Sequence, residues 1–167
     1  MSEFVDWDIH RHSRHHFPVL YFAFGSNLNH EQMASRWPAA TPLATAVLDN
    51  FRLVFSGHSR RWGGGVATVL PFIGAEVPGV LYTVSEEGLL ELDRFEGAPT
   101  KYVRRSVRVR APSGAAFDAW TYVRPVEPTE FVPPSPAYLN VLRDAYARLG
   151  FDPARLVAAL ASASDPV

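Results

Sequence analysis

Residues 85–99, SEEGLLELDRFEGAP, read as a helix that begins at Ser85, carries Glu86 and Glu87 in its first turn and ends at Gly97. At about 100° per residue, Leu89, Leu90, Leu92 and Phe95 share one apolar arc, and Glu87, Glu91 and Arg94 fall opposite. Glu96 lies two helical turns beyond Leu89 and one beyond Leu92, so it points along the middle of the buried arc. An unpaired carboxylate there would cost several kcal/mol. One explanation is a salt bridge or a hydrogen bond to a buried hydroxyl, the commoner fate of a lone Glu on an apolar face. The other is a general base held in a cleft. Desolvation and the negative end of the helix dipole would both raise its pKa, giving a group that can take a proton and return it. Asp93 leans toward the same arc and is the weaker candidate, since such an Asp more often holds a neighbouring loop.

A second stretch could supply the complementary chemistry. YFAFGSN, residues 21–27, is an aromatic strand that enters Gly25-Ser26-Asn27, and Leu28 to Met33 then read as the start of a helix. Such a strand–turn–helix junction points backbone N–H groups at one spot, where they would bind an anion or a developing negative charge. Gly25, without a Cβ, permits close approach. A plain turn before a helix fits the stretch equally well.

The elements around these residues follow from pattern. Val19–Phe24 is the first strand, and residues 30–37 (HEQMASRW) form a short helix stopped by Pro38. Residues 44–57 are one or two strands around Asp49-Asn50. Residues 58–65 (HSRRWGGG) are a Gly- and Arg-rich loop, in which Gly64-Gly65 could let the backbone pass close to something, a flexible loop being the simpler reading. VATVLP and GVLYTV are two further strands. YVRRSVRVR and AFDAWTYV form a hairpin across Pro112-Ser113-Gly114. The Pro-rich stretch 124–136 is an extended surface connection, and two amphipathic helices close the chain, from about Ala137 and from Asp152-Pro153. Strands dominate and helices punctuate them, so the class is α+β. Residues 1–17 are expected to be a mobile arm and 18–163 a single domain. The arm's histidines (His10, His12, His15, His16) could bind a metal, but a solvated tail accounts for them better.

Composition removes several functions. The chain has 167 residues, enough for one domain with a real core, and its hydrophobic and charged fractions, 47% and 20%, are ordinary for a globular protein. A net charge of −1 favours neither nucleic acid nor an anionic membrane as partner. The Arg residues of YVRRSVRVR mostly alternate with Val, as on a sheet with one wet face. No apolar run spans a bilayer and no hydrophobic signal core opens the chain, so the expected location is the cytoplasm. Cysteine is absent, which excludes disulfides, thiolate metal sites and a thiol nucleophile.

Taken together, YFAFGSNL, LDRFEG, Tyr102 and PPSPAY resemble the γ-glutamylcyclotransferase family in order and spacing, from about Val19 to about Phe151. The resemblance implies a small mixed, largely antiparallel β-barrel flanked by helices. It implies an enzyme that converts a γ-glutamyl amino acid, amine or peptide into 5-oxoproline and the free amine. It puts the catalytic glutamate at Glu96 and the substrate-binding loop at Tyr21, Phe22, Ala23, Phe24, Gly25 and Ser26, with Asn27 adjacent; Tyr102 and Tyr138 become pocket tyrosines. Relatives often have Tyr where this chain has Phe24, which removes a hydroxyl from the loop.

Cyclisation is an intramolecular acyl transfer, so it requires no enzyme nucleophile, metal or cofactor. It does require a base for the α-ammonium, an acid for the leaving amine, and a glutamyl chain folded back on itself. Substrates open to such an enzyme are simple γ-glutamyl amino acids, γ-glutamylamines, glutathione or a γ-glutamyl-protected intermediate. The alternative is a non-catalytic binding or regulatory module on the same barrel, which would be free to lose Glu96. Association stays open, a homodimer being one option.

Overall fold

The computed structural model describes residues 18–127 and 130–164; the expected arm and its histidine cluster lie outside them. Five strands close into a barrel in the order β1-β3-β2-β4-β5. They are β1 (Val19–Ala23), β2 (Thr41–Ser59), β3 (Gly64–Val84), β4 (Val103–Arg110) and β5 (Ala116–Val123). The β1–β5 seam is parallel, with Tyr21 opposite Trp120, and the other seams are antiparallel. Four α-helices flank the barrel: α1 (His30–Arg36), α2 (Glu86–Glu96), α3 (Pro136–Leu149) and α4 (Ala154–Ser164). This is the α+β barrel expected from the resemblance. Among the described residues no helix is long and apolar enough to cross a membrane.

The two strands expected at 66–71 and 79–84 are parts of one. Pro71, Gly74, Pro78 and Gly79 looked like breaks, yet β3 continues through them because β2 bends with it. Phe51 pairs with Pro71 and Asp49 with Glu76, so residues 72–75 bulge out between two paired stretches. Asn50 takes a left-handed φ of 62° at this corner, and its side-chain oxygen accepts the Gly74 N–H at 3.1 Å. Arg110 of β4 ties the corner down by pairing with both Asp49 and Glu76.

The helices start and stop as their caps dictate. Ser85 accepts the Gly88 N–H at 3.0 Å and opens α2, and Gly97, at φ 65°, closes it. Ser135 does the same for α3 with the N–H of Tyr138, Pro136 occupying the first turn. Helix α4 begins at Ala154, one residue later than expected, with Asp152 accepting the Ala154 N–H. The apolar arc of α2 is narrower than the wheel implied: Leu89 and Leu92 are buried, whereas Leu90 and Phe95 are 56% and 54% exposed. The helix presses its Gly88 side onto the Trp37 indole, and that close approach leaves the flanks of the arc uncovered.

The glycine pair at 64–65 is a crossing point and not a flexible loop. Val132 donates to the Phe55 carbonyl at 3.0 Å and Gly65 to the Pro133 carbonyl at 2.8 Å, so the Pro-rich segment runs directly over the start of β3. A Cβ on Gly65 would lie 1.9 Å from the Val132 carbonyl oxygen. Gly65→Ala should therefore push the segment off the barrel and lower the melting temperature by roughly 3–10 °C. A melting curve that matched the native protein's would refute that packing.

Candidate active site

Strand β1 delivers Tyr21 to the barrel interior and then hands the chain to a 3₁₀ turn, Ser26–Leu28. The turn is closed by Leu28 N–H to the Gly25 carbonyl and Asn29 N–H to the Ser26 carbonyl, at 3.0 and 3.1 Å. These bonds use carbonyls, and the first N–H groups of such a turn have no partner within it. Asn29 then caps α1 by accepting the Gln32 N–H at 2.9 Å. Above this turn stand Glu96, from the last position of α2, and Tyr138, from the first turn of α3.

Together they enclose an inner cavity of about 40 Å³. Of the residues singled out in the sequence, Tyr21, Phe24, Gly25, Ser26, Asn27, Glu96, Tyr102 and Tyr138 line it. Phe22 and Ala23 do not: the Phe22 ring is fully buried against Gly79 and Phe24. Ala67, Thr121 and Tyr122 also line the cavity and were not foreseen. Thr121 donates to the Phe22 carbonyl at 2.7 Å and so holds β1 against β5.

Glu96 is 15% exposed, and both explanations offered for its position have a physical basis here. Arg36, at the end of α1 and 9% exposed, donates to Glu96 Oε1 at 2.8 Å, and Asn27 Nδ2 reaches the same oxygen at 3.4 Å. Desolvation nevertheless wins: burial raises the Glu96 pKa above the ordinary carboxylate value despite Arg36 and Asn27, which pull it down. Arg36 had no signal in the sequence, since an Arg in the last turn of a helix is an ordinary complement to the dipole. Asp93 does what such an Asp usually does. It accepts from the Tyr122 hydroxyl at 2.7 Å and from Arg104 at 3.0 Å, fastening α2 to the β4–β5 hairpin.

Asn27 is fixed from every side. Its amide nitrogen also donates to the Tyr21 hydroxyl at 2.9 Å, its side-chain oxygen faces Gln32, and its carbonyl accepts from Tyr82 at 3.0 Å. The tyrosines around the cavity stay protonated. Burial, above all, pushes the phenols of Tyr21, Tyr102, Tyr122 and Tyr138 far up and that of Tyr82 to about 12.

Tyr138 is both core and wall. It is 3% exposed and packs against Phe55 and Trp62. Its hydroxyl accepts the Ala67 N–H at 3.0 Å, faces the Ser26 N–H, and would be 3.3 Å from a Cβ on Gly25. The hydroxyl thus already occupies part of the N–H cluster expected to meet an anion. Its own proton remains to be donated into the cavity.

This arrangement has relatives. The family described as Gamma-glutamyl cyclotransferase, AIG2-like, matches residues 21–139, a span that contains every residue of the cavity. The γ-glutamylcyclotransferases of Bos taurus and Homo sapiens are 37% and 35% identical over 128 residues, which cover 74% of this chain and 67% of each relative. The chain belongs to the γ-glutamyl cyclotransferase family. A solved structure named Gamma-glutamyl cyclotransferase superposes on it with a TM-score of 0.77 at 30% identity, covering 90% of both chains. The family, the barrel and the enzyme type expected from the sequence therefore stand.

If Arg36 is the main force opposing the upward shift of Glu96, Arg36→Met should raise that pKa further. Carbon-13 NMR titration of the glutamate carboxyls would check this, and a Glu96 resonance titrating at the same or lower pH would contradict it.

Proposed function

We propose that this γ-glutamylcyclotransferase uses Glu96 as the carrier of protons between the two nitrogens of a γ-glutamyl substrate. The carrying observation is a single carboxylate, raised in pKa, facing a cavity otherwise lined by protonated phenols and small or neutral side chains. The α-ammonium of the glutamyl group gives Glu96 a proton and attacks its own γ-carbonyl carbon. A new C–N bond closes the five-membered ring. As the tetrahedral intermediate collapses, the bond to the leaving amine breaks and that nitrogen takes the proton from Glu96. Across the reaction the α-nitrogen gives up two protons and the leaving nitrogen gains two, so Glu96 serves twice and ends as it began. The products are 5-oxoproline and the free amine.

The remaining work falls, in this proposal, to groups that border the cavity. The Gly25–Asn27 turn, whose Ser26 N–H is already engaged by Tyr138, and the hydroxyls of Tyr21 and Tyr138 would meet the α-carboxylate and the developing oxyanion. Because the phenols are held far above neutrality, they donate hydrogen bonds without competing for the substrate's protons. Arg36 opposes the upward shift of Glu96 and so favours its ionised form, which is what the first proton transfer needs.

Glu96→Gln should fold normally and lose roughly 10²–10⁴-fold in turnover. In the native enzyme kcat/KM should rise with pH through the Glu96 pKa, above the ordinary carboxylate range, because the base must be ionised to act. Release of 5-oxoproline from γ-glutamyl-alanine measures both. A Gln variant with near-native turnover would remove Glu96 from the reaction.

Tyr138→Phe should raise KM more than it changes kcat, since the lost hydroxyl orients substrate and moves no proton. It also deprives the Ala67 N–H of its acceptor, at a cost of about 1–3 kcal/mol in stability. A lowered melting temperature with an unchanged KM would confine Tyr138 to the core.

A further inference from the structure

Outside the inner cavity lies a wider vestibule of about 680 Å³, sharing Ser26, Glu96, Tyr102 and Tyr138 with it. Its remaining charged walls carry one sign. Arg60 and Arg61 come from the turn between β2 and β3, Lys101 from the connection between α2 and β4, and Arg124 from the end of β5. Glu96 is the vestibule's one carboxylate among the described residues, and Arg36 already pairs with it. None of the four outer cations forms an ion pair with a described carboxylate, whereas Arg36, Arg94, Arg104, Arg108, Arg110 and Arg155 all do. Arg52, Arg105, Arg143 and Arg148 also lack an ion pair with a described carboxylate but do not line the vestibule. Four of the eight such described cations thus stand at the mouth of the site of a chain whose net charge is −1.

Two of these cations, Arg124 and Arg61, are held in position. Arg124 lies flat across Gly57, where φ is 67° and a Cβ would be only 2.2 Å from the guanidinium carbon. Its backbone is clamped by Thr68, which accepts the Arg124 N–H and donates to the Arg124 carbonyl, each at 2.9 Å. The Arg60–Arg61 turn is closed by Gly63 N–H to the Ser59 carbonyl and by Trp62 N–H to the Ser59 hydroxyl. Arg61 stacks over the Trp62 ring at 5.3 Å, and Trp62 in turn lies 5.2 Å from Tyr138. A rigid aromatic contact thus links the rim to the inner wall.

Resting on the proposed cyclisation, we infer that the vestibule selects a leaving amine bearing two anionic groups. Glu96 borders both the inner cavity and the vestibule, so with the reacting γ-carbonyl beside it the leaving half projects into the vestibule. Cations from three separate segments meet it there. A single α-carboxylate can satisfy one of them, and a second acid is what the others are set to take. The volume admits it, being within the range of whole small-molecule sites. A neutral amine or a lone methyl side chain would leave most of the positive field unanswered. The same chemistry could come from a dicarboxylic amino acid or from a phosphorylated one.

Charge is isolated by isosteric pairs: γ-glutamyl-glutamate against γ-glutamyl-glutamine, and γ-glutamyl-aspartate against γ-glutamyl-asparagine, with γ-glutamyl-O-phosphoserine as the phosphate arm. The acidic member of each pair should have a kcat/KM about 5–20-fold higher at low ionic strength, two or three part-exposed ion pairs contributing, with the ratio falling as salt is added. Arg60→Gln/Arg61→Gln and, separately, Arg124→Gln should bring the ratio toward one, melting curves confirming that each variant is folded. Preference for O-phosphoserine over glutamate would identify phosphate as the source, and the reverse a carboxylate. Affinities of the same pairs for the Glu96→Gln variant, by calorimetry, read the vestibule without the chemistry. Discrimination in binding without turnover of any γ-glutamyl compound by the native enzyme would count against the cyclisation and leave the charge selection standing. Equal affinities for the acidic and amide members, or a ratio unmoved in both variants, would overturn the inference.

Discussion

The contact on which this site turns is the one between Arg36 and Glu96. It joins the ends of two helices that approach the barrel from different parts of the chain, and it is nearly dry. A buried pair of this kind contributes little net stability, because desolvation consumes most of the attraction. Its consequence is chemical. Burial drives the Glu96 pKa up while Arg36 and Asn27 hold it back, so the carboxylate's hold on a proton is set by opposing forces. The rest of the local structure serves to keep the balance fixed, from the cap at Gly97 to the over-constrained side chain of Asn27.

The second constraint is steric. Tyr138 can reach Ala67 and Gly25 only because the Pro-rich segment descends onto Gly64 and Gly65 and is capped by Ser135 at once. Pro133, Pro134 and Pro136 restrict the approach, so the ring arrives with little ordering entropy left to lose. The same descent carries Phe131 into a bridge with Ser56 of β2. The wall of the cavity and the seat of the Pro-rich segment on β2 and β3 are therefore one piece of packing, and a change that loosens the segment would open the site.

How much of this was legible depended on whether the signal was local. Glu96 stood out because helical periodicity is a short-range property, and two turns of α2 sufficed to mark it as misplaced. The strand-to-helix junction at Gly25–Asn27 and the helix caps at Ser85 and Gly97 were legible for the same reason. Arg36 was not, since its partner is sixty residues away and its own neighbourhood is unremarked. Nor were Ala67, Thr121 and Tyr122, which reach the cavity through strand register. The continuity of β3 was hidden by prolines and glycines that ordinarily end strands; only the matching bend of β2 makes them tolerable. Leu90 and Phe95 misled in the opposite direction, because periodicity gives the direction of a side chain and not whether anything covers it.

The contrast between the inner cavity and its vestibule is the last consequence of this packing. Inside, four buried phenols keep their protons, so in the proposed reaction they act as fixed dipoles and leave proton transfer to one carboxylate. An intramolecular reaction needs no more, because nucleophile and electrophile arrive on the same molecule and the enzyme has only to fold them together. Outside, the cations are partly solvated and individually weak, and in the inferred selection they act on whatever the glutamyl group is attached to. On that reading chemistry and selection fall to groups of different kinds, in different dielectric surroundings, on different segments. The inner set is tied to the barrel seams and to the ends of α2 and α3, where a substitution disturbs the fold. The outer set includes a hairpin turn and an exposed lysine, where the charge facing the leaving group could change while the cavity behind it kept its shape.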